Sequence, residues 1–125
     1  MKRSDIDELE RLMGQLKSIH SEVLTLAKKS PNDAVNSFKI KFINATLLNC
    51  NKFLEEIYKP FGDFDVFDID DVPSNSDVTF IISQYLEALE KYRADNIFSL
   101  MGRWYFKLEN TDEKIQTAQP LKLHK

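Results

Sequence analysis

An all-α fold is the class this sequence predicts: an antiparallel bundle of three or four helices joined by one long acidic crossover loop. Apolar residues recur at alternating spacings of three and four over long stretches, the period of a helix that buries one face. Glycine and proline number only 3 and 4 in 125 residues, so turns are few and the elements between them long. Hydrophobic residues at 42% and charged residues at 30% suit a folded chain with one core rather than a disordered one. This length predicts a single domain, with the bundle over 1–110 and a polar, extended C-terminal tail over 111–125.

The first helix is expected over 5–28. Ser4 and Asp7 give a capping-box-like start. Ile6, Leu9, Met13, Leu16, His20, Val23 and Ala27 form one row, and Leu12, Ile19 and Leu26 run beside it. A stripe that wide suits a helix wedged against two neighbours. "SPND" at Ser30 places a cap, a first-turn proline and an early carboxylate in order, so a second helix is expected over 31–59. Its row is Ile40, Ile43, Leu47, Cys50, Leu54, Ile57 and Phe61, widened by Val35, Phe38, Phe42, Ala45 and Phe53. "YKPFG" ends it, because Pro60 resists helix and Gly62 permits a turn.

A third helix is expected over 77–93, capped by Ser74 or Ser76 with Asp77 at its positive end. Val78, Ile82, Tyr85, Leu89 and Tyr92 form its stripe. After "RADN" the spacing of Ile97, Met101, Trp104 and Leu108 favours a fourth helix over 96–109. The rival is a strand: "RWYFKLE" alternates, and a turn at "NTDE" would return "KIQT" as a hairpin.

The most unusual stretch is "FGDFDVFDIDDVPSNSD", from Phe61 to Asp77, with six aspartates, three phenylalanines and no positive charge. It does not fit a calcium loop. Asp63 and Asp65 begin such a pattern, but Val66 and Phe67 follow, the central glycine is absent, and Ser74 stands where a glutamate is required. The expectation is a crossover loop whose aromatic residues tuck under the bundle while its carboxylates face water or a basic partner. As a docking element it would use Asp63, Asp65, Asp68, Asp70 and Asp71, with Phe64 and Phe67 as anchors.

"KYRADNIFSLMGRWYFK" sets Arg93, Arg103 and Lys107 among Tyr92, Trp104 and Tyr105. Trp, Tyr and Arg are the residues enriched at protein-binding hot spots, so Arg103 and Trp104 join the expected partner surface. The same mixture can stack single-stranded RNA, using Arg93, Arg103 and Trp104. The formal net charge of −3 argues against nucleic acid as the main partner.

No catalytic constellation, metal set or cofactor motif is read from the sequence. Glu87 and Glu90 lie one turn apart with Asp95 five residues on. This resembles the ExxE and ExxD magnesium pattern of all-α nucleotide pyrophosphohydrolases, over the helix 2–helix 3 pair alone. Glu55 and Glu56, however, are adjacent rather than three apart. The resemblance implies an alternative, a metal-dependent nucleotide hydrolase using Glu56, Glu87, Glu90 and Asp95. His20 sits within the first apolar row without a nucleophile beside it, His124 lies in the tail, and Cys50 belongs to a core row. A lone cysteine predicts no internal disulfide and a cytoplasmic setting, and no apolar run reaches membrane-spanning length.

The expected function is a small non-enzymatic adaptor, inhibitor or accessory subunit that presents a helix face and the acidic loop to a protein partner. That partner would be basic or itself nucleic-acid-binding, which makes a phosphate-mimicking nuclease inhibitor the sharpest version. The breadth of the apolar rows on helices 1 and 2 adds the expectation of a homodimer.

Overall fold

Three helices and a small antiparallel sheet build the protein: α1 (Arg3–Lys29), α2 (Ser37–Tyr58), α3 (Asn75–Asp95), β1 (Ile97–Leu100), β2 (Arg103–Phe106) and β3 (Gln116–Thr117). The computed structural model describes residues 1–121. The all-α prediction is corrected by the sheet, whose order is β1-β2-β3. The fourth helix expected over 96–109 does not form; that stretch is the β1–β2 hairpin.

The local chemistry explains the correction. Met101 and Gly102 both take positive φ, 51° and 80°, the twist of a two-residue hairpin turn. Leu100 thereby pairs with Arg103, and Ile97 with Phe106. Ile97 and Phe106 are buried in the core, while Phe98 and Tyr105 stack on the opposite face with centroids 5.9 Å apart. The rival hairpin reading is right about one pairing: "KIQT" does return to β2, with Tyr105 opposite Gln116 and Trp104 opposite Thr117. The Met-Gly turn was missed because it lacks the Asn or Asp that usually precedes the glycine.

The core joins Ile6, Leu9, Leu12, Leu16 and Val23 of α1 to Ile40, Ile43, Leu47, Cys50 and Leu54 of α2 and Val78, Ile82, Tyr85 and Leu89 of α3. These are the expected apolar rows, with exceptions at the margins. Ile57, Phe38 and Phe42 are exposed, and His20 is half-buried. His124 lies outside the described residues.

All three helix starts differ from expectation. α1 begins two residues early, where the Asp5 carboxylate accepts the Lys2 N–H at 2.8 Å. α2 begins at Ser37, not at "SPND", because the Asn36 side chain caps it by accepting the Lys39 N–H at 2.8 Å. "SPND" instead forms a turn bridged to the start of α3. The Val35 N–H donates to the Pro73 carbonyl at 3.0 Å, and the Asn75 N–H to the Asp33 carbonyl at 2.8 Å. α3 begins at Asn75, two residues before the expected 77, on the expected cap, with Ser74 and Asp77 capping each other's backbone N–H groups.

The bundle is also not wholly antiparallel. The starts of α2 and α3 are bridged at Ala34 and Ser74. Their ends meet too, where the Tyr58 hydroxyl donates to Asp95 at 2.8 Å and Phe53 stacks edge-on to Tyr92 at 4.8 Å. α2 and α3 are therefore parallel, and α1 runs against both. A parallel pair needs a connection that travels back the length of a helix. From Ser37 to Leu54 α2 rises about 27 Å before the helix kinks at Glu55, where φ is 55°. Residues 59–74 in extended form reach about 50 Å, enough for the return. The long acidic crossover is thus a consequence of topology.

Candidate protein-docking site

The crossover runs antiparallel alongside α2 and is held by two asparagines on one face of that helix, seven positions apart. Asn44 brackets the backbone of Phe67, donating to its carbonyl at 2.8 Å and accepting its N–H at 2.9 Å. Asn51 donates to the Asp65 carbonyl at 2.9 Å and accepts from the Tyr85 hydroxyl at 2.5 Å. Asp65 meets Asn51 and Phe67 meets Asn44, the reversed order of a segment that runs against the helix. Burial of Tyr85 pushes its phenol up to about 12, so the hydroxyl stays a donor.

The phenylalanines face inward. Phe64 sits edge-on to Phe67 at 5.2 Å, to Phe61 at 6.4 Å and to Tyr85 at 6.5 Å. Phe61 lies 6.2 Å from Phe80. Phe64 and Phe67 are half-buried and pack on the core, so they anchor the loop.

The carboxylates face outward. Asp63, Asp65, Asp68, Asp70 and Asp71 are all exposed. The Asp65 carboxylate pairs with Lys59, and that hydrogen bond raises the lysine above its ordinary value. Asp68 caps the short 3-10 turn Ile69–Asp71 by accepting the Asp70 N–H at 2.9 Å. Val72 follows at φ 50° and directs the chain into the bridge with Ala34. The result is a row of charges on a backbone fixed at both ends.

Arg103 and Trp104 are not part of that row. They are neighbours on β2, so their side chains leave opposite faces of the sheet. Arg103 is exposed, whereas Trp104 is half-buried and packs on the core. Arg93, the third residue of the RNA alternative, is buried against Glu90, with 7% and 5% of their side chains exposed. It is therefore not available beside them.

The four carboxylates of the hydrolase alternative are likewise not assembled. Glu90 is consumed by Arg93, Asp95 pairs with Lys91 and Tyr58, and Glu56 is exposed on the last turns of α2. Among the described residues no group of three or more His, Cys, Asp or Glu side chains is placed to hold a metal ion. These residues do not fit a magnesium site.

A second surface lies where the breadth of the apolar rows on helices 1 and 2 led to the expectation of a homodimer. A groove of about 520 Å³ between α1 and α2 is lined by Gly14, Ile19, Val23, Phe38, Phe42 and Ile43. Phe38 and Phe42 are 70% and 56% exposed and stack edge-on at 5.0 Å. Leu48, 55% exposed, lies on a different side of α2, toward Asn44 and Asn51. The signal was present in the residues that widened the α2 row, because a helix with two neighbours cannot bury an apolar stripe on a third side.

No family model, curated protein or solved structure matches the chain. No helix among the described residues is long and apolar enough to cross a membrane.

Proposed function

We propose that the chain is a small non-enzymatic interaction module that docks a basic protein partner through the acidic crossover. One observation carries the reading: five exposed aspartates stand on a loop whose backbone is clamped by Asn44, Asn51 and a half-buried aromatic row. A preorganised row of charge loses little conformational entropy on binding and speeds association with an oppositely charged surface. A phosphate-mimicking inhibitor of a nucleic-acid-binding protein is the sharpest form of this activity, and the lone buried cysteine suits a cytoplasmic setting.

The test converts Asp65, Asp68, Asp70 and Asp71 together to Asn and measures capture of a labelled oligo-arginine peptide. The wild type should bind faster, and added salt should erase the difference. Equal association rates for the two proteins at low salt would leave the loop as a topological connection only.

The exposed Phe38 and Phe42 support a further element of the proposal, a homodimer built on the α2 face. Light scattering at micromolar concentration should report a dimer, and Phe42→Asp should return it to a monomer. A wild type that is monomeric throughout would remove the dimer and leave the loop proposal standing.

A further inference from the structure

The chain after Glu113 returns along β2 and then crosses α3 as a strap over residues 115–121. Its contacts are almost all to main-chain atoms. The Phe106 N–H donates to the Ile115 carbonyl at 3.0 Å, and Gln116 and Thr117 pair with Tyr105 and Trp104. Arg93 then takes over. Its Nη1 donates to Thr117 Oγ1 at 2.9 Å and to the Ala118 carbonyl at 2.8 Å, and its Nη2 to the Gln119 carbonyl at 2.9 Å. The Leu121 N–H closes the register by donating to Glu90 Oε2 at 2.9 Å.

The receiving pair is buried and internally bonded. Arg93 Nε and Nη2 donate to the two Glu90 carboxylate oxygens, both at 2.8 Å. Every guanidinium N–H is thus used, two on Glu90 and the rest on the strap. The strap, by contrast, buries little. Ala118, Gln119, Pro120 and Leu121 are exposed, so their side chains contribute little to its retention. Pro120 sits where no N–H is asked for, between the Gln119 carbonyl and the Leu121 amide, and its fixed φ keeps the segment extended.

A sheet edge that pairs with an extended segment, continued by a buried cation and anion that take its carbonyls and amide, is the arrangement of a strand-addition peptide site. We propose that the β2 edge and the Glu90–Arg93 pair form a binding site for an extended peptide of a partner protein, with a hydroxyl residue three positions before a proline, and that the chain's own strap fills this site in cis and gates it. The site is separate from the acidic crossover. A second copy of the chain is a poor source for the peptide. The stretch before the strap is tied to its own N-terminus by the Glu109 N–H on the Met1 carbonyl, at 3.0 Å, and by the Arg3–Glu113 ion pair.

The test keeps the full chain. Thr117→Val with Leu121→Pro removes the hydroxyl and the amide that hold the strap, and thermal unfolding checks that the body is intact. A labelled peptide of the sequence KIQTAQPL is then titrated by fluorescence polarisation. A tethered strap competes at a millimolar effective concentration, so the double variant should bind the peptide about a hundredfold more tightly than the wild type. Adding Arg93→Lys should abolish capture, and replacing the peptide's threonine by valine should weaken it. Thr117→Val alone serves if the double variant does not fold, with a smaller gain in the same direction. A folded variant whose strap amides exchange freely, yet which takes up no peptide, overturns the proposal. Concentration-dependent dimerisation of the wild type that the double variant loses would make the second copy the occupant and overturn the partner reading.

Discussion

Breaking the Glu90–Arg93 pair from one side should be far more damaging than removing it whole. Arg93→Met leaves the Glu90 carboxylate, 5% exposed, with the Leu121 amide in place of a bidentate guanidinium. Glu90→Leu leaves a cation, 7% exposed, held only by a hydroxyl and two carbonyls. An uncompensated buried charge costs about 3–5 kcal/mol, a large part of the roughly 5–15 kcal/mol that holds a domain together. The double variant Glu90→Leu, Arg93→Met removes both charges, and the strap carbonyls it frees turn to water. Its loss should fall well below the sum of the single losses, with a coupling of about 2 kcal/mol or more. Urea unfolding followed by far-ultraviolet circular dichroism gives the three differences, provided the slope with denaturant stays constant. Glu90→Gln, which keeps size and an acceptor, supplies a measurable single variant if Glu90→Leu does not fold. Single losses below about half a kilocalorie that simply add would mean the pair is solvated, and the account of the strap would fall with it.

Leu47, fully buried on α2, should cost about 2–5 kcal/mol when cut to alanine, measured by the same unfolding assay. Asn44→Ala removes two hydrogen bonds to Phe67; it should cost about 1–3 kcal/mol and release the Phe67 amide to hydrogen exchange. Burial pushes the Cys50 thiol up to about 12, so thiol reagents at neutral pH should label it only as fast as the protein unfolds. The same shift has a sign: the folded state disfavours the thiolate. Stability should therefore be full below the unfolded-state value of 9.0, fall as pH rises from there towards about 12, and fall less in Cys50→Ala.

The buried helix faces could be read from the sequence because period and burial are the same fact. Ile40, Ile43, Leu47, Cys50 and Leu54 are a row in the chain and a row in the core. The Ser74–Asp77 cap was readable for the same reason, since its chemistry is local. What failed depended on distant partners. "SPND" satisfies every local requirement of a helix start, yet Val35 and Asp33 bond to the α3 entry instead. Glu90 and Arg93 look like a solvated helix face. Their burial depends on each charge neutralising the other one turn away, and on a strap that local patterns did not place. One signal was there: Arg93 continues the row Ile82, Leu86, Leu89, a position that faces neighbours. In the candidate site, the outward aspartates and inward phenylalanines could be read from their alternation. The asparagines that fix them could not, because an amide on a helix face carries no mark of what it will bond.

The mixture of charge and aromatic residues in the crossover follows from the parallel pairing of α2 and α3. A connection running the length of two helices crosses the seam between them and must close it. Phe61, Phe64 and Phe67 do so at a spacing of three: Phe61 meets Phe80, Phe64 meets Tyr85, and Phe67 packs on Phe64. The backbone between them, with a turn at Gly62 and Asp63 and a bend at Val66, has no ladder partner, and Asn44 and Asn51 supply its hydrogen bonds instead. Aspartates between the rings then serve two ends at once. They keep an extended, aromatic-rich segment from pairing with another chain, as charge does on exposed edges, and they leave a fixed line of negative charge on the surface. Loosening the asparagine clamps should therefore weaken both effects together, whereas removing the charges should spare the fold and expose the edge. Aggregation of the quadruple Asn variant, compared with Asn44→Ala at equal stability, separates the two contributions.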